Sequence, residues 1–207
     1  MIDLSTGVET SMGVVVGVGL AAACGFRVFV PMLGTSLASL SGHLDLAPGF
    51  DWIGTPVAAV CFGVAVLLEI AAYYVPWLDN LLDTIATPAA AIAGTMMTAS
   101  MVVEVSPFLK WSLALIAGGG VAGTIKSGTS LLRGISSTTT GGAANPIMST
   151  LEWMFSLLMT VLAVVLPILA GMIAVALVVV AFVMFRKFWR VWRSRRPATE
   201  AAGEPAT

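Results

Sequence analysis

Four ionisable residues lie inside stretches that are otherwise apolar enough to cross a membrane: Arg27, Glu69, Lys126 and Glu152. A charged side chain at the centre of a bilayer costs about 2.5–3.5 kcal/mol on insertion scales, so it normally faces a partner, a cavity or water. Two of the four are basic and two are acidic, so each glutamate can pair with Arg27 or Lys126. Such pairs either line a substrate or ion site or only lock the helices together, and the sequence leaves both interpretations open.

Asp79 and Asp83 form a second candidate site, in the segment between Pro76 and Pro88. The two aspartates are four residues apart, so a helix places both on one face. Apolar residues of the segment recur at helical spacing, which predicts a short amphipathic helix that lies in the membrane interface or re-enters the membrane. Because hard cations favour oxygen ligands, these carboxylates and Glu69 can together attract a proton or a cation. The alternative is a solvated acidic face, and the identity of any metal stays unknown.

Other motifs argue against a catalytic or cofactor-binding role. His43 is the only histidine, and the sequence offers no nucleophile positioned with it, which a general base requires. The glycine-rich stretch 118–127 lacks the preceding strand and the Gly-Lys pair of a phosphate-binding loop. Cys24 and Cys61 lie in apolar stretches without metal-ligand spacing. We therefore expect no cofactor and no catalytic residue.

The composition explains why these few charges stand out. The chain has 207 residues, of which 58% are hydrophobic and 10% are charged, and its net charge is −1. Its mean hydropathy is +0.98. An ordinary soluble domain is about 25% charged. The chain lacks the charge that a soluble surface needs, which argues against a soluble enzyme, a nucleic-acid-binding protein and a disordered linker, and predicts a multi-pass membrane protein.

Transmembrane helices must position these residues, because crossing about 30 Å of hydrocarbon takes roughly 20 apolar residues. We expect an all-α transmembrane bundle of about six spans plus the short helix that carries Asp79 and Asp83. The predicted spans cover residues 12–37, 55–75, 86–105, 108–132, 146–166 and 169–189. Arg133 then falls in the loop after the fourth span. Residues 1–11 are predicted to form a short cytoplasmic N-terminus, 12–190 the transmembrane domain, and 191–207 a basic and then disordered cytoplasmic tail.

Glycine and proline residues mark where helices pack closely or break. The first predicted span is interrupted by Arg27 and Pro31, and the first and fourth spans are both rich in glycine. The tetrapeptide 34–37 recurs as 128–131, which raises the hypothesis of two inverted three-helix repeats; chance similarity in a biased composition is the alternative. The predicted packing or break positions are Gly25, Pro31, Pro88, Gly119 and Gly123.

A basic and aromatic run follows the sixth span and holds six of the ten basic residues of the chain. Basic residues collect on the cytoplasmic side of a membrane, so we expect this run to be cytoplasmic. Six spans would then place the N-terminus in the cytoplasm as well. The predicted membrane-interface anchors, with their basic side chains near anionic lipid, are Arg186, Lys187, Trp189, Arg190 and Trp192.

Two segments, residues 19–31 and 76–88, resemble an uncharacterised bacterial membrane family catalogued as domain of unknown function 4126. The Gly-x-Arg-x-Phe-x-Pro element from Gly25 to Pro31 and the Leu82-Asp83…Thr87-Pro88 element are the most specific parts of the resemblance. The similarity covers about residues 12–190. It implies a multi-pass membrane protein and no established activity.

Together these residues predict a multi-pass protein of the bacterial inner membrane that transports a small solute or an ion, or forms a channel for it. The alternative is a structural or assembly protein whose buried ion pairs only fix helix packing. A membrane enzyme, with Asp79 and Asp83 holding a metal and Arg27 a lipid phosphate, is the weakest interpretation, because no nucleophile or base accompanies them. The expected partners are the lipid bilayer and an unknown small solute or ion, with a homo-oligomer left open.

Overall fold

The computed structural model of the protein describes residues 4–72, 76–103, 105–141 and 143–194; of the helical residues 4–6, 76–84, 191–192 and 194, the backbone alone is described. All regular secondary structure in these ranges is helical. The α-helices are α1 (Leu4–Phe26), α2 (Phe29–Leu40), α3 (Pro56–Ala71), α4 (Pro76–Met101), α5 (Pro107–Leu113), α6 (Gly120–Thr140), α7 (Asn145–Val165) and α8 (Pro167–Ser194). A 3-10 helix (Asp51–Gly54) precedes α3, and a π-helical stretch (Ala114–Gly119) joins α5 to α6.

The central helix of the bundle is α1, which α4, α6, α7 and α8 surround. Its residues 20–24 are completely buried. Glycines allow the neighbouring helices to approach closely: a Cβ atom at Gly17 would lie 2.8 Å from the Cα of Thr98, and one at Gly25 would lie 2.7 Å from the Cβ of Ile125. Between helices in lipid, where the hydrophobic effect gives little driving force, such close contact between small residues is a main source of association.

Both α4 and α7 run antiparallel to α1, because residues later in α1 contact residues earlier in α4 and in α7. The contacting pairs are Gly17 with Thr98 and Ala21 with Gly94 for α4, and Gly19 with Ala163 and Ala23 with Ser156 for α7.

The chain reverses direction after α1. Arg27, just before α2, contacts Glu152 of α7, whereas Gly34 within α2 contacts Thr160, two turns further along α7. Thus α2 runs parallel to α7 and antiparallel to α1. The next helix, α3, runs back again, so that Glu69 in its last turn returns to Arg27.

The last helix, α8, runs parallel to α1. Near the start of α8, Gly171 contacts Val15 of α1. Further along α8, Ala181 contacts Gly128 of α6. Gly128 lies one turn beyond the α6 residues that pack on Gly25, near the end of α1. The start of α1 and the end of α8 therefore lie at opposite ends of the bundle. This differs from the predicted arrangement with both termini on one side, because the first predicted span is in fact two helices that run in opposite directions.

In the described part of the chain, four helical stretches are long and apolar enough to cross a membrane, and three apolar helices are shorter. The long ones are Gly7–Phe26, Pro107–Thr140, Asn145–Val165 and Pro167–Arg190, and the shorter ones are Phe29–Leu40, Pro56–Ala71 and Ile85–Met101. The predicted all-helical, membrane-type fold is confirmed. Six full spans and two inverted repeats are not confirmed.

Two predicted boundaries are wrong. No separate short helix precedes Pro88, because α4 continues through this proline, which removes one backbone hydrogen bond without ending the helix. The polar segment after the predicted fourth span was expected to be a loop. It is helical as far as Thr140, because α6 continues to that residue. The hydroxyls of Thr139 and Thr140 donate to the carbonyls of Ile135 and Ser136, one turn earlier, so these polar side chains find partners within the helix.

Candidate functional site

The site begins at the break between α1 and α2. Pro31 lies in the first turn of α2, where its missing N–H costs nothing, but it cannot donate to the carbonyl of Arg27 four residues earlier. A single continuous helix is therefore unfavourable here. Ser156 of α7 takes over as donor: its hydroxyl donates to the carbonyl of Ala23 at 3.0 Å and to that of Arg27 at 3.5 Å. We call Arg27 and Val28 the α1–α2 junction.

The side chain of Arg27 binds two glutamates from different helices. One guanidinium nitrogen, Nη2, lies 2.9 Å from Oε2 of Glu152, and the other, Nη1, lies 3.9 Å from Oε1 of Glu69. Nη2 also donates to the carbonyl of Ser149 at 3.5 Å. All three ionised side chains are largely shielded from solvent. The sequence analysis expected each glutamate to pair with Arg27 or Lys126. In the structure, Arg27 contacts both glutamates.

Arg133 completes the contacts of Glu152 and was missed by the sequence analysis, which placed it in a loop. Its Nη2 donates to Oε2 of Glu152 at 2.6 Å, and its side chain is buried. A signal was present in the sequence: Lys126, Thr129 and Arg133 follow the i, i+3, i+7 spacing of one helical face. That face of α6 is buried at all three positions.

Lys126 is also buried in this part of the bundle. Its positive charge acts on the carboxylate of Glu69, as does that of Arg27. The backbone amides of Val28 and Phe29, at the N-terminal end of α2, lie near the same carboxylate. Unpaired N–H groups at such an end attract negative charge, although the buried Oε2 of Glu69 accepts no hydrogen bond from the described residues. We refer to Arg27, Glu69, Lys126, Arg133 and Glu152 as the charge cluster.

The charge cluster lies well away from both ends of the bundle. Lys110, Lys126 and Thr140 lie on one continuous helical stretch, with Lys126 16 residues after Lys110 and 14 residues before Thr140. At a rise of 1.5 Å per residue, Lys126 is about 24 Å from Lys110 and about 21 Å from Thr140 along the helix. Near the first end, the ammonium of Lys110 lies 4.9 Å from the centre of the Phe50 ring, and Trp111 lies beside the same ring. Aromatic residues beside a lysine are typical of a membrane interface.

The predicted anchors lie at the other end of the bundle. The side chains of Arg186, Lys187, Trp189 and Arg190 are exposed on the last turns of α8. Phe185 packs beside Trp189, with ring centres 6.2 Å apart. The side chain of Trp192 lies outside the described residues. The charge cluster is thus positioned between two aromatic and basic ends.

The remaining predicted site residues divide into two groups. The side chains of Asp79 and Asp83 lie outside the described residues, so their role stays a prediction. Among the residues that the structure describes, no group of three or more His, Cys, Asp or Glu side chains is arranged to hold a metal ion. Gly119 packs against Thr95 of α4, and Gly123 is in ordinary contact with Ala91. These two glycines contribute to helix packing rather than to the charge cluster.

The apolar helices and the charges buried among them define this chain as an all-helical membrane-type protein. It belongs to a family described as domain of unknown function (DUF4126), which matches residues 14–187. No curated protein and no solved structure matches the chain.

Proposed function

We propose that this protein transports a small solute or an ion across the bacterial inner membrane, or conducts it as a channel, and that the charge cluster is its site. The observation that supports this most is the meeting of Arg27, Glu69 and Glu152 at a helix break, with Lys126 and Arg133 buried beside them. Charges at such depth are costly and usually mark a solute, ion or proton pathway.

The helix break supports the same proposal. In many transporters the substrate site lies where a membrane helix is interrupted, because exposed amides and carbonyls there bind ions and charged groups. Here the carbonyls of Ala23 and Arg27 and the amides of Val28 and Phe29 lie within the charge cluster. The junction therefore offers both donors and acceptors to a bound ion or solute.

A purely structural role explains the cluster less well. Replacing a buried ion pair with well-packed apolar residues is often neutral or stabilising, so ion pairs are an inefficient way to hold helices together. The small-residue contacts along α1 already provide close packing. In our proposal, Asp79 and Asp83 extend the polar pathway toward the end of the bundle at which α4 begins.

Flux into liposomes tests the proposal. Purified protein is reconstituted, and uptake is measured for a panel of inorganic ions, amino acids and small organic acids, in wild type, Arg27→Ala, Arg27→Lys and Arg186→Ala. We expect flux of at least one solute class in wild type and in the control Arg186→Ala, whose arginine is exposed at the end of α8. Arg27→Ala should abolish this flux, and Arg27→Lys should reduce it. No flux in wild type for any member of the panel, or unchanged flux in Arg27→Ala, contradicts the proposal.

A further inference from the structure

The two glutamates of the charge cluster are held very differently. Glu152 has two guanidinium groups within 2.9 Å of one carboxylate oxygen, and 4% of its side chain is exposed. Glu69 has its nearest guanidinium nitrogen at 3.9 Å, and 17% of its side chain is exposed. Proton exchange needs access to water and a carboxylate that can leave its partner, and of the two glutamates Glu69 has the larger exposure and the longer contact. Glu69 is therefore the better placed of the two to exchange a proton.

Few ionisable groups face Glu69 within the described residues. They are the guanidinium of Arg27, the ammonium of Lys126 and the buried thiol of Cys24. The helix packed against α3, α2, carries no ionisable side chain. Asp51 of the 3-10 helix lies at the opposite end of α3. Among the described residues, Arg27 and Lys126 are the charged neighbours of Glu69.

The helix that carries Glu69 is peripheral. Its main neighbours in the described part of the chain are α2 and the 3-10 helix. Only Ala58 and Val66 are buried along α3, whereas Val57, Leu67 and Leu68 are mostly exposed. The ion pair of Glu69 with Arg27 therefore joins the last turn of a loosely packed helix to the centre of the bundle.

We infer that Glu69 is the proton-binding residue of the charge cluster and that its protonation releases the last turn of α3 from the α1–α2 junction. This inference rests on the proposed transport function, since movement of α3 would open the cluster. A proton from the aqueous phase adds to one carboxylate oxygen and gives a neutral acid. The attraction to Arg27 and to the first amides of α2 is then lost. Arg27 stays bound to Glu152, so the rest of the cluster keeps its structure.

Distance measurements between spin labels test this inference. The chain has two cysteines, of which Cys24 is buried and Cys61 is exposed on α3. In a Cys24→Ala background, one label is attached to Cys61 and another to Ile116→Cys, an exposed position between α5 and α6. In liposomes, lowering the pH should shift the distance distribution between the labels. Glu69→Gln should show the low-pH distribution at every pH, and the matched control Glu9→Gln, at an exposed position on α1, should behave as wild type.

The outcomes separate this inference from the proposed function. A distribution that does not change with pH, or that changes alike in Glu69→Gln and wild type, overturns the role of Glu69. If Glu69→Gln does not fold, Glu69→Asp replaces it: a shifted midpoint supports the role, and an unchanged midpoint overturns it. Flux is measured on the same liposomes. A pH-dependent shift without flux supports the Glu69 switch and contradicts transport, whereas flux without a shift supports transport and overturns the switch.

Discussion

Arg27 and Arg133 bind the same carboxylate oxygen, Oε2 of Glu152, at 2.9 and 2.6 Å, although they come from different helices. One acid thereby holds the end of α1 and the middle of α6 against α7. Two guanidinium groups so close together repel each other unless a negative charge lies between them. Glu152 is therefore the residue on which the geometry of the charge cluster depends most.

Removing Glu152 should destabilise the protein more than removing Glu69. Glu152→Ala leaves two buried guanidinium groups without this acid, and breaking a buried ion pair from one side typically costs about 3–5 kcal/mol. Glu69→Ala loses a longer contact of 3.9 Å with Arg27 and the attraction to Lys126, but no short ion pair, and should cost less. Thermal unfolding in detergent checks the order, with Glu9→Ala as the control for an exposed glutamate. Equal melting temperatures for Glu152→Ala and Glu9→Ala would refute this prediction.

Replacing Arg133 in addition to Glu152 should recover part of the stability that Glu152→Ala loses. In Glu152→Ala combined with Arg133→Met, one of the two guanidinium groups that lost this acid is gone and an apolar side chain fills its place. We expect the double variant to melt above Glu152→Ala. A double variant that melts lower shows that Arg133 stabilises the protein through contacts other than Glu152.

The close packing of α1 predicts opposite effects for two glycine substitutions. In Gly17→Ala the new Cβ would lie 2.8 Å from the backbone of Thr98, so α1 and α4 must separate; overpacking of this kind costs about 1–3 kcal/mol. Gly63 on α3 has open space around it, and Gly63→Ala should stabilise its helix by up to about 1 kcal/mol. Unfolding measurements on both variants check the prediction, and equal stability of the two contradicts the packing of α1 against α4.

The hydroxyl of Ser156 should stabilise the break between α1 and α2. Ser156→Ala removes the hydroxyl that donates to the carbonyls of Ala23 and Arg27. The carbonyl of Ala23 still accepts from the N–H of Arg27 at 3.0 Å, so the main loss is at the carbonyl of Arg27, and leaving a buried acceptor without a donor costs about 1–3 kcal/mol. The control is Ser127→Ala, since the exposed Ser127 hydroxyl only donates within its own helix. A melting temperature that falls in the control but not in Ser156→Ala would contradict this role.

The parallel direction of α1 and α8 predicts the topology of the protein in the membrane. If the basic end of α8 is cytoplasmic, as its arginines and lysine favour, the start of α1 lies on the other side. Reporter domains that are active on only one side of the membrane, fused to residue 1 or to residue 207, check this. We expect opposite sides for the two termini, and a cytoplasmic reporter signal from both fusions contradicts the helix directions.

The sequence was sufficient to locate most of the charge cluster, because a charge inside an apolar window is conspicuous whatever the fold. Arg27, Glu69, Lys126 and Glu152 could be predicted on this basis. Arg133 was missed because the hydroxyl-rich residues that follow it lower the local hydropathy and imitate a loop, although its spacing from Lys126 and Thr129 places all three on one helical face. In the structure those hydroxyls bond to carbonyls of their own helix, as Thr139 does to Ile135.

The number and direction of the passes were harder to predict. Hydropathy treats residues 12–37 as one segment, and it does not register the chain reversal between α1 and α2. It also cannot decide whether Pro88 ends a helix or lies inside one, because that depends on the tertiary contacts around it. The contact of Arg133 with Glu152 was not predicted for a related reason: it depends on the packing of α6 on α7.

The central claim is that the charge cluster moves a solute or an ion and does not merely hold helices together. The variant Arg27→Met combined with Glu69→Met tests it most directly, because it removes one positive and one negative charge and leaves the pair of Arg133 with Glu152 intact. Flux into liposomes is measured for the folded double variant and for wild type. We predict normal unfolding behaviour with flux reduced to the level of protein-free liposomes. Wild-type flux in the folded double variant would contradict the claim and leave the cluster with a structural role alone.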